Sequence, residues 1–275
     1  MTLLLQISDP HFGTEHPGAV EALVALAHAK PPGLVVLSGD VTQRARRGQF
    51  AAARRFLDRL PCSARLVIPG NHDIPLFNLP GRIWRPYSGF SRAFGMDLEP
   101  VHDDADLLVI GVNTTRPRRH KDGEVSAEQV QRVAARLRVA APAQLRVVVV
   151  HQPVAAIEAS DVANLVHGRG EAIPAWADAG CDIVMGGHIH LPYALPLRAM
   201  YPQLARDVWT VQAGTAVSTR VRGGVPNSVN FIQGEGAGPG RTCRLERWDY
   251  VAARQRFVQQ SSQVLPLSAA MSGST

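Results

Sequence analysis

The chain has 275 residues, with 45% apolar and 19% charged side chains and a formal net charge of +6. This composition excludes disordered and fibrous classes, and a chain of this size closes a full core without disulfide staples. Arginine supplies 27 of the 29 positive charges. Ala, Gly and Pro are also abundant, and all four residue types have GC-rich codons, so the basic excess alone identifies no anionic partner.

In chain order, residues 3–7, 34–37, 66–68, 107–112, 147–150 and 183–185 read as buried strands. Each is short, rich in Leu or β-branched residues, and bounded by turn formers. Helical spacing lies between them at 19–29, 49–60 and 127–139. In the second of these, Phe50, Ala53, Phe56, Leu57 and Leu60 share one face and Arg54, Arg55 and Arg59 the other; Ser126, Glu128 and Gln129 mark the start of the third. Strand–helix alternation predicts an α/β fold. Past residue 205 the pattern changes: strands at 208–211, 229–232, 243–248 and 256–258 follow one another without helices, and the glycine-rich stretch 234–240 reads as a flexible hairpin connection. No linker divides the chain, so a single domain is expected over residues 1–262, with a flexible tail at 263–275. The first seven residues lack the basic start of a signal peptide, and no run approaches the ~20 apolar residues of a membrane span. Cys62, Cys181 and Cys243 are too few and too scattered for a disulfide framework, so reduced thiols in a cytoplasmic protein are the expectation.

The informative residues follow the strands. The first strand runs into Asp9-Pro10-His11, the second into Gly39-Asp40 and the third into Gly70-Asn71-His72-Asp73. The strand at 147–150 runs into His151, and that at 183–185 into Gly187-His188-Ile189-His190. Open α/β sheets bind ligands at this carboxyl edge. Asp9, His11, Asp40, Asn71, His151, His188 and His190 supply oxygen and imidazole donors with no thiolate, a set that suits Mn, Fe or Zn. Seven donors exceed one tetrahedral site and match two ions sharing a carboxylate.

These five blocks, over residues 3–190, resemble the signature of the calcineurin-like metallophosphoesterase superfamily: Asp-x-His, Gly-Asp, Gly-Asn-His-Asp, His and Gly-His-x-His. The resemblance implies a four-layer α/β/β/α sandwich with two mixed β-sheets and a dinuclear metal site at the strands' carboxyl edge. It implies one ion on Asp9, His11, Asp40 and His190 and a second on Asp40, Asn71, His151 and His188, with Asp40 as the bridge. The reaction implied is phosphodiester hydrolysis by a metal-bound hydroxide. His72 would not ligate metal; it would protonate the leaving alkoxide or stabilise the phosphoryl oxygen. Asp73 is read either as orienting His72 in catalysis or as capping the next turn.

Departures from the pattern narrow the branch. Protein Ser/Thr phosphatases of the superfamily carry Gly-Asp-x-x-Asp-Arg-Gly, whereas this chain has Gly39-Asp40-Val41-Thr42-Gln43-Arg44-Ala45, with Gln43 where the acidic partner of the histidine would stand. The bacterial class III cyclic-nucleotide phosphodiesterases often have a second His after the fourth block, and here it is Gln152. Compact size and the remaining blocks still resemble that branch best. The expected partner is therefore a small anionic phosphodiester such as a cyclic nucleotide. Alternatives are a lipid-linked nucleotide-sugar pyrophosphatase or a DNA nuclease; a metal-free scaffold is disfavoured by the full ligand set. Nucleic acid is not the favoured partner, while peripheral membrane contact and homo-oligomerisation stay open.

Residues 76–100 concentrate Phe77, Trp84, Tyr87, Phe90 and Phe94 with Arg82, Arg85 and Arg92. This segment reads as a helix packed on the sandwich, as a cap with an aromatic to stack on a base and an Arg to bind phosphate, or as a membrane-contacting cap. The run Arg116, Arg118, Arg119, His120, Lys121 reads as a solvated face or a pocket border. His16, His28, His102, His120 and His167 match no motif.

Overall fold

The computed structural model describes residues 1–236 and 240–269. Strands β1 (Leu4–Ile7), β2 (Leu34–Ser38) and β3 (Ala64–Ile68) pair in parallel. Strands β4 (Val101–Asp103), β5 (Leu107–Gly111), β6 (Leu145–Val149), β7 (Ile183–Gly186), β8 (Tyr193–Pro196) and β9 (Trp209–Gln212) form a second sheet in the order β4-β5-β6-β7-β9-β8, with its four central strands parallel and both edges antiparallel. Strands β10 (Ser228–Glu235), β11 (Thr242–Val251) and β12 (Arg256–Pro266) extend the first sheet antiparallel, to give β12-β11-β10-β1-β2-β3. Both sheets are therefore mixed.

Period-two alternation along the strands builds four layers. Leu5, Ile7, Val35 and Leu37 face out from the first sheet onto helices α1 (Pro17–Ala29) and α2 (Arg47–Asp58). Their neighbours Leu4, Leu34 and Val36 face inward and meet Val109, Val147, Val149 and Met185 of the second sheet. Leu108, Ile110, Val148 and Val184 face the other way, against α5 (Ala127–Arg138) and α6 (Arg169–Asp178). The result is the expected α/β/β/α sandwich. Helix α5 starts where the sequence marks it: the Ser126 hydroxyl accepts from Gln129 N at 3.2 Å and the Gln129 side chain reciprocates to Ser126 N at 2.9 Å. Helix α6 has no counterpart among the predicted elements, because Pro174 lies inside it.

Two short helices occupy the aromatic segment: α3 (Leu79–Trp84) and α4 (Ser88–Phe94). They behave oppositely. Phe90 of α4 is buried and packs with Phe50 and Phe94, as the packed-helix reading expects. Helix α3 buries nothing, and Phe77 and Trp84 are 81% and 76% exposed.

The tail expected from residue 263 is a correction. Strand β12 continues to Pro266, Leu265 and Leu267 enter the inter-sheet core, and Asp207 N donates to Ser268 Oγ at 2.7 Å. Leu at alternate positions is a strand signal that the surrounding Ser and Gln mask. Residues 270–275 of that tail, and 237–239 of the glycine-rich connection, lie outside the described residues. Cys62, Cys181 and Cys243 are free thiols, and among the described residues no helix is long and apolar enough to cross a membrane.

Candidate metal centre

The carboxyl ends of β1, β2, β3, β6 and β7 meet at one place, and the loops that leave them are sharply bent. Asp9, His11, Asp40, His188 and His190 all have positive φ, between 43° and 72°. Side-chain-bearing residues avoid this region, at a cost of about 1–3 kcal/mol each, so the fold spends stability to aim five of the seven expected donors inward. Two glycines make room. Gly39 has φ of 100° and a Cβ there would strike the His151 ring, while a Cβ on Gly70 would strike Asp40 Oδ1.

His11, Asp40, Asn71, His188 and His190 line one cleft of about 920 Å³, and Asp9 and His151 are buried against them. Asp9, His11 and His190 converge within 4.8 Å, as do Asp40, His151 and His188. Asp40 faces both groups: its Oδ2 lies 3.7 Å from His11 Nε2 and its Oδ1 3.3 Å from His151 Nε2. The imidazoles are oriented from behind. His151 Nδ1 donates to Ser38 O at 2.9 Å and His190 Nδ1 to Arg220 O at 2.7 Å, which leaves each Nε2 lone pair for the centre. Ser8 Oγ and His188 N donate to Asp9 Oδ2 at 2.5 and 2.9 Å, leaving Oδ1.

The residues fit a cation pair. Asp9 Oδ1, Asn71 Oδ1, His151 Nε2 and His188 Nδ1 are buried polar atoms without a hydrogen-bond partner, and such atoms are costly unless something satisfies them. Two of the four imidazoles are already neutral, as metal binding requires. Burial holds His11 down at about 3 and His188 at about 4, so both imidazoles are neutral at pH 7. His151 is also buried, but Asp40 overrides that and raises it to about 9. Burial would raise Asp9 and Asp40, yet their histidine neighbours hold both carboxyls well below the usual range.

His72 sits at the edge of this cluster. Its Nδ1 donates to Gln43 O at 2.9 Å, and its Nε2 looks into the cleft, 4.0 Å from Asp40 Oδ2. Asp73 does not orient it, which corrects the catalytic reading of that residue. The Asp73 carboxylate accepts from Val41 N, Thr42 N, Thr42 Oγ1 and Gly70 N at 2.8–3.0 Å and clamps the second loop to the third. Burial and the Asp40 charge push Asp73 up to about 7, against the pull of those four donors. Capping of the next turn is not observed either, because the one local donor, Gly70 N, precedes Asp73.

The rim differs from expectation too. Trp84 and Arg85 do not line the cleft. Arg82 donates to Pro117 O and Arg119 O and ties the basic loop to the aromatic segment. Within that loop Arg116 and Arg119 pair with Glu124, while His120 and Lys121 border the cleft. Arg220 and Arg222 also line it, and both escaped the motif reading because they lie in a loop after β9 that carries no signature. The available signal was positional: residues 213–224 are a small-residue, polar loop leaving the same sheet edge.

Residues 2–192 match the model of the calcineurin-like phosphoesterases. The chain belongs to that family. A probable cyclic nucleotide phosphodiesterase from a Synechococcus strain is 28% identical over 149 residues. That match spans 50% of this chain and 53% of the relative, about half the length of each. A dimetal phosphatase from Danio rerio shares the fold at a TM-score of 0.67 and 12% identity, over 97% of this chain and 99% of that one. A purple acid phosphatase from yellow lupin (Lupinus luteus) seeds does so at 0.70 and 12%, over 97% of this chain and 54% of the other. The two solved structures show the fold that the chain shares.

Proposed function

We propose that the protein is a two-metal phosphodiesterase of small diesters, cyclic nucleotides among them. The observation that supports this reading is the ring of convergent side chains, four of which present buried polar atoms without a partner. Asp9, His11, Asp40 and His190 would hold one ion, and Asp40, Asn71, His151 and His188 the other. When bound, such ions activate water for in-line attack and offset charge developing on the phosphoryl oxygens. Mn, Fe and Zn all accept this donor set. Once protonated on Nε2, His72 would deliver that proton to the leaving oxygen, with Gln43 O fixing the ring from behind.

The test is one panel after Mn or Fe reconstitution: a generic aryl diester, the matching monoester, 3′,5′-cyclic AMP, 2′,3′-cyclic AMP, single-stranded DNA and a nucleotide-sugar lipid. Turnover of the small diesters well above that of the monoester is the expected result. Monoester-only turnover overturns the reading. One observation favours a second reading, the exposed Phe77, Leu79, Ile83 and Trp84 beside basic residues, which suits an amphiphilic diester. Turnover of the nucleotide-sugar lipid alone would establish it.

The ligand assignment also predicts a proton balance. His151, raised to about 9, carries a proton at pH 7 in the metal-free protein and must lose it to bind an ion; His190 is raised as well. A raised histidine favours the protonated state until pH passes its folded value, so metal affinity should climb with pH and level off above about 9. Titrating Mn into metal-free protein at pH 7, in buffers of different ionisation enthalpy, should give release of about one proton or more per chain. No release would remove His151 from the ligand set.

A further inference from the structure

The cleft holds a guanidinium that no metal ligand or family motif accounts for. Arg220 lies in the loop after β9, beyond the family-matched segment 2–192. That loop is anchored against the first strand's exit. Thr219 N donates to Thr14 O at 2.8 Å, the Thr14 and Ser218 hydroxyls bond at 3.0 Å, and Thr215 Oγ1 donates to Asp9 O at 2.6 Å. The Arg220 main chain is thus fixed beside the centre, with its carbonyl accepting from His190 Nδ1.

Its side chain folds back over the cleft. Nη1 lies 3.0 Å from Gln43 Oε1, 3.3 Å from His72 Nε2 and 3.4 Å from His11 Nδ1. Arg222, two residues on, is committed to Glu158 and Asp161. Arg220 meets no carboxylate within ion-pair distance among the described residues, and its Nε and Nη2 bond to nothing there. A positioned guanidinium with spare donors beside a phosphoester centre matches the fork that binds phosphoryl oxygens.

Two details sharpen this. His72 Nδ1 already donates to Gln43 O, so in the neutral ring Nε2 is the lone pair and Arg220 is the donor to it. For His72 to carry a proton on Nε2, the guanidinium must leave that nitrogen, and the cleft is where it can go. Gln43 stands where the resembling phosphatases have an acid. A neutral amide holds Arg220 in place without discharging it, whereas a carboxylate there would form an ion pair and compete with substrate.

The geometry points to Arg220 as the residue that binds a non-bridging oxygen of the scissile phosphate, with Gln43 as its neutral positioning residue. This rests on the phosphoesterase reading for the identity of the ligand. Arg220 donates to His72 in the resting site and redirects those N–H groups to the phosphoryl group when substrate arrives, which leaves the His72 Nε2 lone pair free to take a proton from solvent and then pass it to the leaving oxygen.

The experiment compares wild type, Arg220→Ala, Arg220→Lys and Gln43→Glu, all with Mn loaded and metal content measured. It has two readouts: calorimetric binding of inorganic phosphate, and kcat and KM on the aryl diester. Arg220→Ala should keep its metal, bind phosphate more weakly and lose about 100-fold in kcat/KM, the scale of one lost transition-state donor. Arg220→Lys should recover part of the loss as a point charge, and added guanidinium should partly rescue Arg220→Ala but not wild type. Gln43→Glu should weaken phosphate binding roughly fivefold, the scale of an exposed ion pair. Unchanged phosphate affinity in Arg220→Ala overturns the proposal, and so does loss of its metal, which would put Arg220 in metal retention. If the wild type hydrolyses no diester, the function reading fails, while the phosphate-binding comparison still decides the role of Arg220.

Discussion

Asp40→Asn should strip the centre of an ion and lower diester turnover by about 10³-fold or more, beyond what loss of one transition-state donor costs. The argument is positional. Asp40 is 2% exposed, and its two oxygens face different donor groups, one toward His11 and one toward His151. An amide of the same shape places N–H₂ where one of those oxygens stood and removes the negative charge that two cations would share. Metal analysis of the purified variant should find about one ion or fewer per chain where wild type holds about two. Replacing the charge should leave the fold intact, because the three apolar clusters that bind the layers do not include Asp40. Unchanged far-ultraviolet circular dichroism is the control. Wild-type metal content together with wild-type turnover would remove Asp40 from the centre.

Most of what builds this centre is short-range and therefore legible in a sequence. A buried strand announces itself by composition, and a polar residue straight after it falls on the sheet's carboxyl edge whatever the rest of the chain does. Asp9, Asp40, Asn71, His151 and His188 are all of this kind. So is the start of α5, where Ser126 and Gln129 satisfy each other within one turn. Long-range partners are not legible. Nothing local to Asp73 says whether its carboxylate will turn toward His72 or toward the amides of Val41 and Thr42, 32 and 31 residues away. The same holds for Arg220, whose partners Gln43 and His72 are 177 and 148 residues distant. Helix α6 was hidden by a different cause: Pro174 lowers local helix propensity, and burial of Ile173 and Trp176 outweighs it. The sign of the aromatic segment could not be read either, because exposure depends on what lies opposite. Phe90 finds Phe50 of α2, whereas Trp84 stays 76% exposed.

His72→Ala should keep both ions and lose about 10²–10⁴-fold in turnover, the usual range for a positioned acid or base. Metal retention follows from where the ring is bonded. His72 Nδ1 is spent on Gln43 O, the side chain is 20% exposed at the cleft edge, and the buried unsatisfied polar atoms that fit a cation belong to Asp9, Asn71, His151 and His188. The size of the loss should depend on the leaving group, and that dependence separates the two roles open to His72. An aryl oxide of low pKa departs without a proton, whereas a ribose alkoxide needs one. If His72 Nε2 delivers that proton, the variant should lose far more on 3′,5′-cyclic AMP than on an aryl diester. If the ring instead steadies a phosphoryl oxygen, the two substrates should lose alike. Loss of metal in His72→Ala would place the ring among the ligands, and full activity on both substrates would leave it no part in the reaction.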